Sequence, residues 1–156
     1  ALCRAENTDI AYVKPHGALY NDMMKDFPLF NNICNAIAQI NQHRQQPLFL
    51  MIQALTDTGE FEKIAQQHHI SLYFEAFADR AYLDNGLLVP RSETGALLTS
   101  NQAVVSRCQE LLAQQPLFSI NQQPLPLQID ALCVHGDTPN ALAMIKALRA
   151  TINAQG

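Results

Sequence analysis

Short apolar runs alternate with amphipathic stretches along this chain. Four apolar runs have the length and composition of buried strands, and they cover residues 10–13, 48–52, 72–74 and 129–134. Longer stretches with helical periodicity separate most of them. This alternation is typical of strand–helix units, and it predicts an α/β fold with a parallel sheet.

Helical periodicity predicts four helices. The first starts at Asp26 and Pro28, since an aspartate followed by a proline is a common helix start. Its predicted buried stripe is Phe30, Ile33, Cys34, Ile37 and Ile40. The second covers 59–67 and the third 101–114, with predicted buried residues Phe61, Ile64 and Ala65, and Val104, Val105, Cys108, Leu111 and Leu112.

The last predicted helix begins near Pro139, with Thr138 as its cap. Its predicted buried stripe is Leu142, Ile145, Leu148 and Ile152. Before it, residues 115–128 contain three prolines, which predict an extended or hairpin connection. Residues 75–100 form an unusually long and apolar connection, and loops of this kind in compact domains are usually functional. We therefore expect an active-site loop there.

Composition narrows the class of protein. With 156 residues, 48% of them hydrophobic, the chain predicts one compact soluble domain over 1–156. Its net charge of -4 disfavours nucleic acid and membrane surfaces as partners. A cytoplasmic location is expected, because no apolar run approaches the ~20 residues of a membrane span and no signal peptide is recognisable. The four cysteines lack metal-ligand spacing and indicate neither a zinc site nor a disulfide framework.

Polar residues follow the predicted strands, and in parallel α/β proteins ligands bind at the carboxyl ends of the strands. His16 and His135 each lie directly beyond a strand and directly before a glycine. We weigh this repeated pair most heavily, because a glycine there permits a positive φ angle or a close backbone approach. The candidate site residues are Lys14, His16, Glu75, Asp79, Arg80, Arg91, His135 and Asp137.

Structural interpretations of these residues stay open. Lys14 either forms an ion pair with a carboxylate such as Glu75 or meets an anionic ligand. Asp79 and Arg80 either pair to shape the long loop or contact a ligand, and Asp137 is either a helix cap or part of the site. The sequence contains no P-loop, dinucleotide fingerprint, serine nucleophile elbow or helical zinc motif.

Three segments carry a family resemblance: VKPHGALYN at 13–21, EAFADRAYLDNGLLVPR at 75–91 and LCVHGDTPNA at 132–141. In order and spacing they resemble the C-terminal signatures of the LamB/YcsF family, the A subunit of bacterial 5-oxoprolinase. The similarity covers essentially the whole chain. The opening motifs of the family are not present, so we expect this chain to be the C-terminal part of a longer polypeptide.

The resemblance implies a (β/α) barrel of the deacetylase-like, seven-stranded kind, of which this chain supplies about four strands. It also implies ATP-dependent opening of the lactam of 5-oxo-L-proline to L-glutamate, with ATP bound together with Mg²⁺ and with subunits B and C as partners. At the matching positions we assign catalysis to His16, His135, Asp137 and Glu75. Contacts to substrate or ATP are assigned to Lys14, Asp79, Arg80 and Arg91.

Two other functions remain open from the sequence. Relatives of this barrel place histidine and aspartate at the same edge, which suggests a metal-dependent hydrolase or deacetylase of an amide or carbohydrate. Alternatively, the chain is an inactive remnant with an open sheet edge, through which copies self-associate. For this piece alone we expect little or no activity.

Overall fold

The structure is a computed structural model that describes residues 2–136 and 141–154. The helices are α1 (Leu2–Ala5), α2 (Ala18–Met23), α3 (Phe27–Asn41), α4 (Gly59–Gln67), α5 (Asn101–Leu112) and α6 (Ala141–Asn153). The strands are β1 (Tyr12–Val13), β2 (Phe49–Gln53), β3 (Leu72–Phe77), β4 (Leu117–Phe118), β5 (Pro124–Leu125) and β6 (Ala131–Cys133).

Four strands form the main sheet in the order β1-β2-β3-β6. β1 pairs in parallel with β2, where Tyr12 lies opposite Phe49, and β3 pairs in parallel with β6, where Glu75 lies opposite Ala131. Helices follow β1, β2 and β6, as expected for strand–helix units. The predicted α/β fold with about four parallel barrel strands is confirmed.

Every predicted strand is present. β3 is longer than predicted, because Glu75 and the two residues after it continue the buried ladder beyond Phe74. The long connection therefore begins at residue 78, not at Glu75. The proline-rich segment forms the antiparallel hairpin β4–β5, which confirms the predicted extended connection.

The predicted starts of α3, α4 and α5 are confirmed. The Asp26 side chain accepts a hydrogen bond from the Leu29 N–H, which caps α3 as predicted. α4 has the predicted bounds, and its Phe61 packs edge-on against Phe30 of α3 with ring centroids 5.0 Å apart. α5 ends two residues early, at Leu112. α1 and α2 were not predicted, since both are short and carry little periodicity.

Part of the predicted core was wrong. Ile40 on α3 and Leu112 on α5 are exposed, because each lies at the end of its helix. On α6 the predicted stripe fails in three of four positions, since Leu142, Ile145 and Ile152 are exposed and only Leu148 is buried. Met144 is buried with Leu148, against Val104 and Cys108 of α5. The predicted start of α6 at Thr138 and Pro139 lies outside the described residues.

The connection from 78 to 99 is folded on itself. Ala81, Val89 and Ala96 form its own small core, with Leu83 and Leu98 packed against it. Ala81 N–H donates to the Ala96 carbonyl, and Val89 N–H donates to the Ala81 carbonyl. The segment is thus an ordered excursion with its own hydrogen bonds, in line with its apolar sequence.

By its contacts the chain divides into two compact units. Unit 1 comprises Ala1–Gln53 and Thr58–Phe74, and unit 2 comprises Ala54–Asp57 and Glu75–Gly156. Within the described part of the chain, no helix is both long enough and apolar enough to cross a bilayer.

Candidate functional site

The candidate site in unit 2 lies at the carboxyl ends of β3 and β6. The two strands stay paired beyond their last assigned residues, since Ala78 N–H donates to the Cys133 carbonyl. Asp79 follows on one side and His135 on the other, each two residues beyond its strand. Parallel pairing therefore brings together two residues that are 56 positions apart in sequence.

Asp79 holds His135 at two points. The His135 backbone N–H donates to Asp79 Oδ2 at 3.1 Å, and the imidazole Nδ1 lies 3.1 Å from Oδ1 and 3.2 Å from Oδ2. The imidazole also stacks on Phe77, with centroids 5.3 Å apart and planes 15° from parallel. Asp79 is fully buried, whereas the His135 side chain is 25% exposed. A buried carboxylate thus orients a ring that solvent can reach.

This arrangement determines the hydrogen-bonding state of the imidazole. An ionised carboxylate only accepts hydrogen bonds, so Nδ1 must carry the hydrogen that Asp79 accepts. In the neutral ring Nε2 is then the nitrogen with a free lone pair. A histidine held in this way by an aspartate is able to accept a proton at Nε2 and to return it, which is the chemistry of a general acid and base.

Tyr82 contacts the backbone of Phe77 at the end of β3. Its hydroxyl accepts a hydrogen bond from the Phe77 N–H at 2.6 Å, and the side chain is fully buried. Burial raises the pKa of the Tyr82 phenol to about 12, so the hydroxyl stays protonated across the physiological range. Its role is structural, because it fixes the backbone beneath the His135 ring.

Arg80, predicted to contact an anion, is buried and directed at the backbone. Its Nη2 donates to the Val89 carbonyl at 2.6 Å, and its Nε lies 3.4 Å from the Ala96 carbonyl. The guanidinium joins two parts of the long loop to the strand end. Arg91 is exposed on the same loop, and Glu75 is buried within β3. Ligand contacts by Arg80 and Arg91, and catalysis by Glu75, stay predictions.

Lys14 and His16 lie in unit 1, directly after β1, and both are exposed. Lys14 Nζ is 5.5 Å from the centroid of the Tyr20 ring, a cation–π distance. Gly17 has a φ of 61°, as anticipated for the glycine of this motif, whereas Gly136 after His135 does not have a positive φ. The two His-Gly pairs are therefore not conformationally equivalent. The predicted roles of Lys14 and His16 stay predictions.

Asp137 lies outside the described residues, so its predicted catalytic role stays a prediction. Among the residues that are described, no group of three or more histidine, cysteine, aspartate or glutamate side chains could hold a metal ion. With Arg80 directed at carbonyls, the described residues present no evident fit for Mg²⁺ and a triphosphate. The substrate or ATP contacts predicted for Lys14, Asp79, Arg80 and Arg91 stay predictions.

The sequence pattern did not single out Arg107, which also lies at the site. Arg107 of α5 reaches the end of β3 and donates to three backbone carbonyls there, those of Phe77, Ala78 and Arg80. The sequence did contain a signal for Arg107. Val104 and Cys108 form the buried face of α5, and Arg107 lies next to Cys108 and three residues after Val104. A charged residue next to a buried stripe needs a polar partner.

An apolar cavity of about 560 Å³ lies elsewhere in unit 2. Its lining comes from the end of α5, the segment around Leu125 and the residues that lead into β6 at Ala131. It is therefore at the amino end of β6, whereas His135 follows the carboxyl end. Because the cavity is mostly apolar and is lined by neither His135 nor Asp79, we do not include it in the candidate site.

The fold and the site together define an α/β protein of the parallel-barrel kind that carries a histidine–aspartate pair at its strand ends. The model of the LamB/YcsF family matches residues 1–156, and the chain belongs to that family.

Named relatives agree with this membership. The chain is 40% identical over 153 residues to the 5-oxoprolinase A subunit of Vibrio cholerae, covering 98% of this chain and 60% of the relative. It is also 40% identical over 154 residues to the third 5-oxoprolinase A subunit of Pseudomonas aeruginosa, covering 99% and 60%. The crystal structure of a lactam utilization protein from Thermus thermophilus superposes with a TM-score of 0.81 at 28% identity, covering 98% and 58%. The chain thus spans about 60% of the length of these relatives.

Proposed function

We propose that this chain is part of the A subunit of a 5-oxoprolinase, which hydrolyses the lactam of 5-oxo-L-proline to L-glutamate. The proposal is supported by the names of relatives that are 40% identical over nearly the whole chain. Since those relatives are named as one subunit of an enzyme, we extend the proposal to partner subunits B and C. ATP supplies the free energy for opening a stable five-membered amide, and we propose it as the second substrate.

We further propose that His135 is the acid and base of this hydrolysis. The single observation that carries this role is the double hydrogen bond to Asp79, which directs the lone pair of Nε2 away from the carboxylate. Nε2 accepts a proton from the water that attacks the lactam carbonyl carbon. As the carbon–nitrogen bond breaks, the same nitrogen returns that proton to the departing amine. Opening the lactam consumes one water, whose hydroxyl joins the new carboxyl carbon and whose proton joins the amine, and the coupled hydrolysis of ATP to ADP and phosphate consumes a second.

Substituting His135→Asn in the full-length protein tests the role. Together with subunits B and C, this variant is expected to lose about 10²–10⁴-fold in ATP-dependent glutamate formation, the usual contribution of a positioned acid–base group. His43→Asn is the matched control, because His43 is an exposed residue just after α3. If His135→Asn forms glutamate at the control rate, the assignment of His135 is wrong.

A further inference from the structure

Arg107 joins helix α5 to the end of strand β3. Its Nη1 lies 3.4 Å from both the Phe77 and the Ala78 carbonyl oxygens and makes its shortest contact with the Arg80 carbonyl. These carbonyls belong to the last residue of β3 and to two of the three residues that follow it. One guanidinium nitrogen, with its two N–H groups, is thus shared among three carbonyls.

The surroundings of Arg107 favour a fixed position for its side chain. The guanidinium carbon lies 5.9 Å from the centroid of the buried Tyr82 ring, a cation–π distance. Burial lowers the pKa of Arg107, while Tyr82, Glu110 and Asp79 counteract that effect electrostatically. A charged group taken from water is stable there only with good hydrogen bonds, and the carbonyls provide them.

The three carbonyls flank Asp79 on both sides. Asp79 contributes its own carbonyl to the Leu98 N–H at 2.8 Å, and its carboxylate to His135. The position of that carboxylate therefore depends on the backbone of residues 77–80. Any shift of this backbone changes the hydrogen bond to Nδ1 of His135, because the Asp79 side chain is short and wholly enclosed.

We propose that Arg107 is a positioning residue, which holds the backbone around Asp79 so that the carboxylate meets Nδ1 of His135. The effect of Arg107 on catalysis rests on the proposed function of His135. Its effect on the hydrogen bond between Asp79 and His135 does not. Positive charge alone is insufficient for this role. A lysine at the same place keeps the charge, but its side chain is one atom shorter than the arginine path to Nη1, so it does not place a donor at the same point.

Nuclear magnetic resonance of the ¹⁵N-labelled imidazoles tests the geometry in the chain itself. Arg107→Lys and Arg107→Gln are expected to shift the Nδ1 signal of His135 and to speed exchange of its proton with water. Arg149→Gln, on the exposed face of α6, should leave both unchanged. Because Arg107→Lys keeps the charge, it is the variant that carries the test if Arg107→Gln does not fold. A wild-type His135 signal in folded Arg107→Lys overturns the proposal.

Kinetics of the full-length protein with subunits B and C then test the consequence. Arg107→Lys is expected to lower kcat by up to about 10²-fold with KM little changed, as for a small misplacement of a catalytic group. If the imidazole signal shifts but kcat does not, Arg107 positions the pair and the proposed catalytic role of His135 fails. If neither changes, the positioning role is refuted.

Discussion

Replacing Tyr82 with phenylalanine removes one buried hydroxyl and changes how stability depends on pH. At neutral pH the Phe77 N–H loses the oxygen that accepts its hydrogen bond. Removing one partner of a buried hydrogen bond costs about 1–3 kcal/mol. Tyr82→Phe should therefore be less stable than wild type by that amount near pH 7, with the same fold.

The alkaline range adds a second effect. Burial raises the pKa of Tyr82 from 10.0 to about 12, so between these values the folded state holds a proton that the unfolded state has lost. Stability from this group is complete below pH 10 and declines as pH rises towards 12. From the size of the shift, wild type should lose about 1 kcal/mol by pH 11 and roughly 3 kcal/mol in total. Tyr82→Phe lacks this loss, so the gap between the two proteins should narrow above pH 10.

Urea unfolding at a series of pH values between 7 and 11 measures both effects. The quantity to compare is the difference in unfolding free energy between wild type and Tyr82→Phe, because other alkaline titrations cancel in that difference. Tyr73→Phe is the control, since Tyr73 is 36% exposed. Curves for wild type and Tyr82→Phe that fall in parallel from pH 9 to 11 would show that Tyr82 does not titrate as the structure implies.

Two further substitutions test local geometry. Gly86 has a φ of 84°, and an added Cβ would lie 3.0 Å from the Thr56 backbone nitrogen, so Gly86→Ala should destabilise by about 1–3 kcal/mol in thermal or urea unfolding. Gly95 has a similar φ of 82°, but a Cβ added there would meet only Ile120 Cδ1, at an ordinary contact distance of 3.9 Å. An equal cost of Gly86→Ala and Gly95→Ala would therefore exclude a contribution from the close approach. Asp26→Ala should cost about 1 kcal/mol by removing the cap of α3, while Asp26→Ser restores most of it. No difference between Asp26→Ala and Asp26→Ser would contradict the capping interaction.

Hydrophobic periodicity predicted most of the elements but not always the buried face. α4 followed its pattern, because Phe61 and Ile64 are the large apolar residues of a short helix with a polar remainder. α6 carries apolar residues on more than one face, so periodicity alone could not choose between the stripe at Leu142 and the one at Met144. Met144 and Leu148 are the buried residues because they pack against α5. That contact depends on tertiary structure, which the periodicity of one helix does not contain.

In the candidate site, too, the sequence predicted individual residues but not which of them contact each other. His135 and Asp79 were both candidates, because each follows a strand. Their pairing depends on the register of β3 with β6, in which Phe77 lies opposite Cys133, and no local pattern states that register. The carbonyl contacts of Arg80 and Arg107 depend on the path of the long loop and of α5, which is also decided over long distances in sequence.

The long loop closes at its base. Leu98 N–H donates to the Asp79 carbonyl, and Arg80 and Leu97 form a bridge, so both ends of the excursion are tied to the same place. Residues 91–95 of this loop are exposed. Insertions and deletions in that outer stretch could accumulate during evolution without displacing the anchor. Related proteins could in this way differ in the exposed part of the loop while keeping Asp79 in the same position.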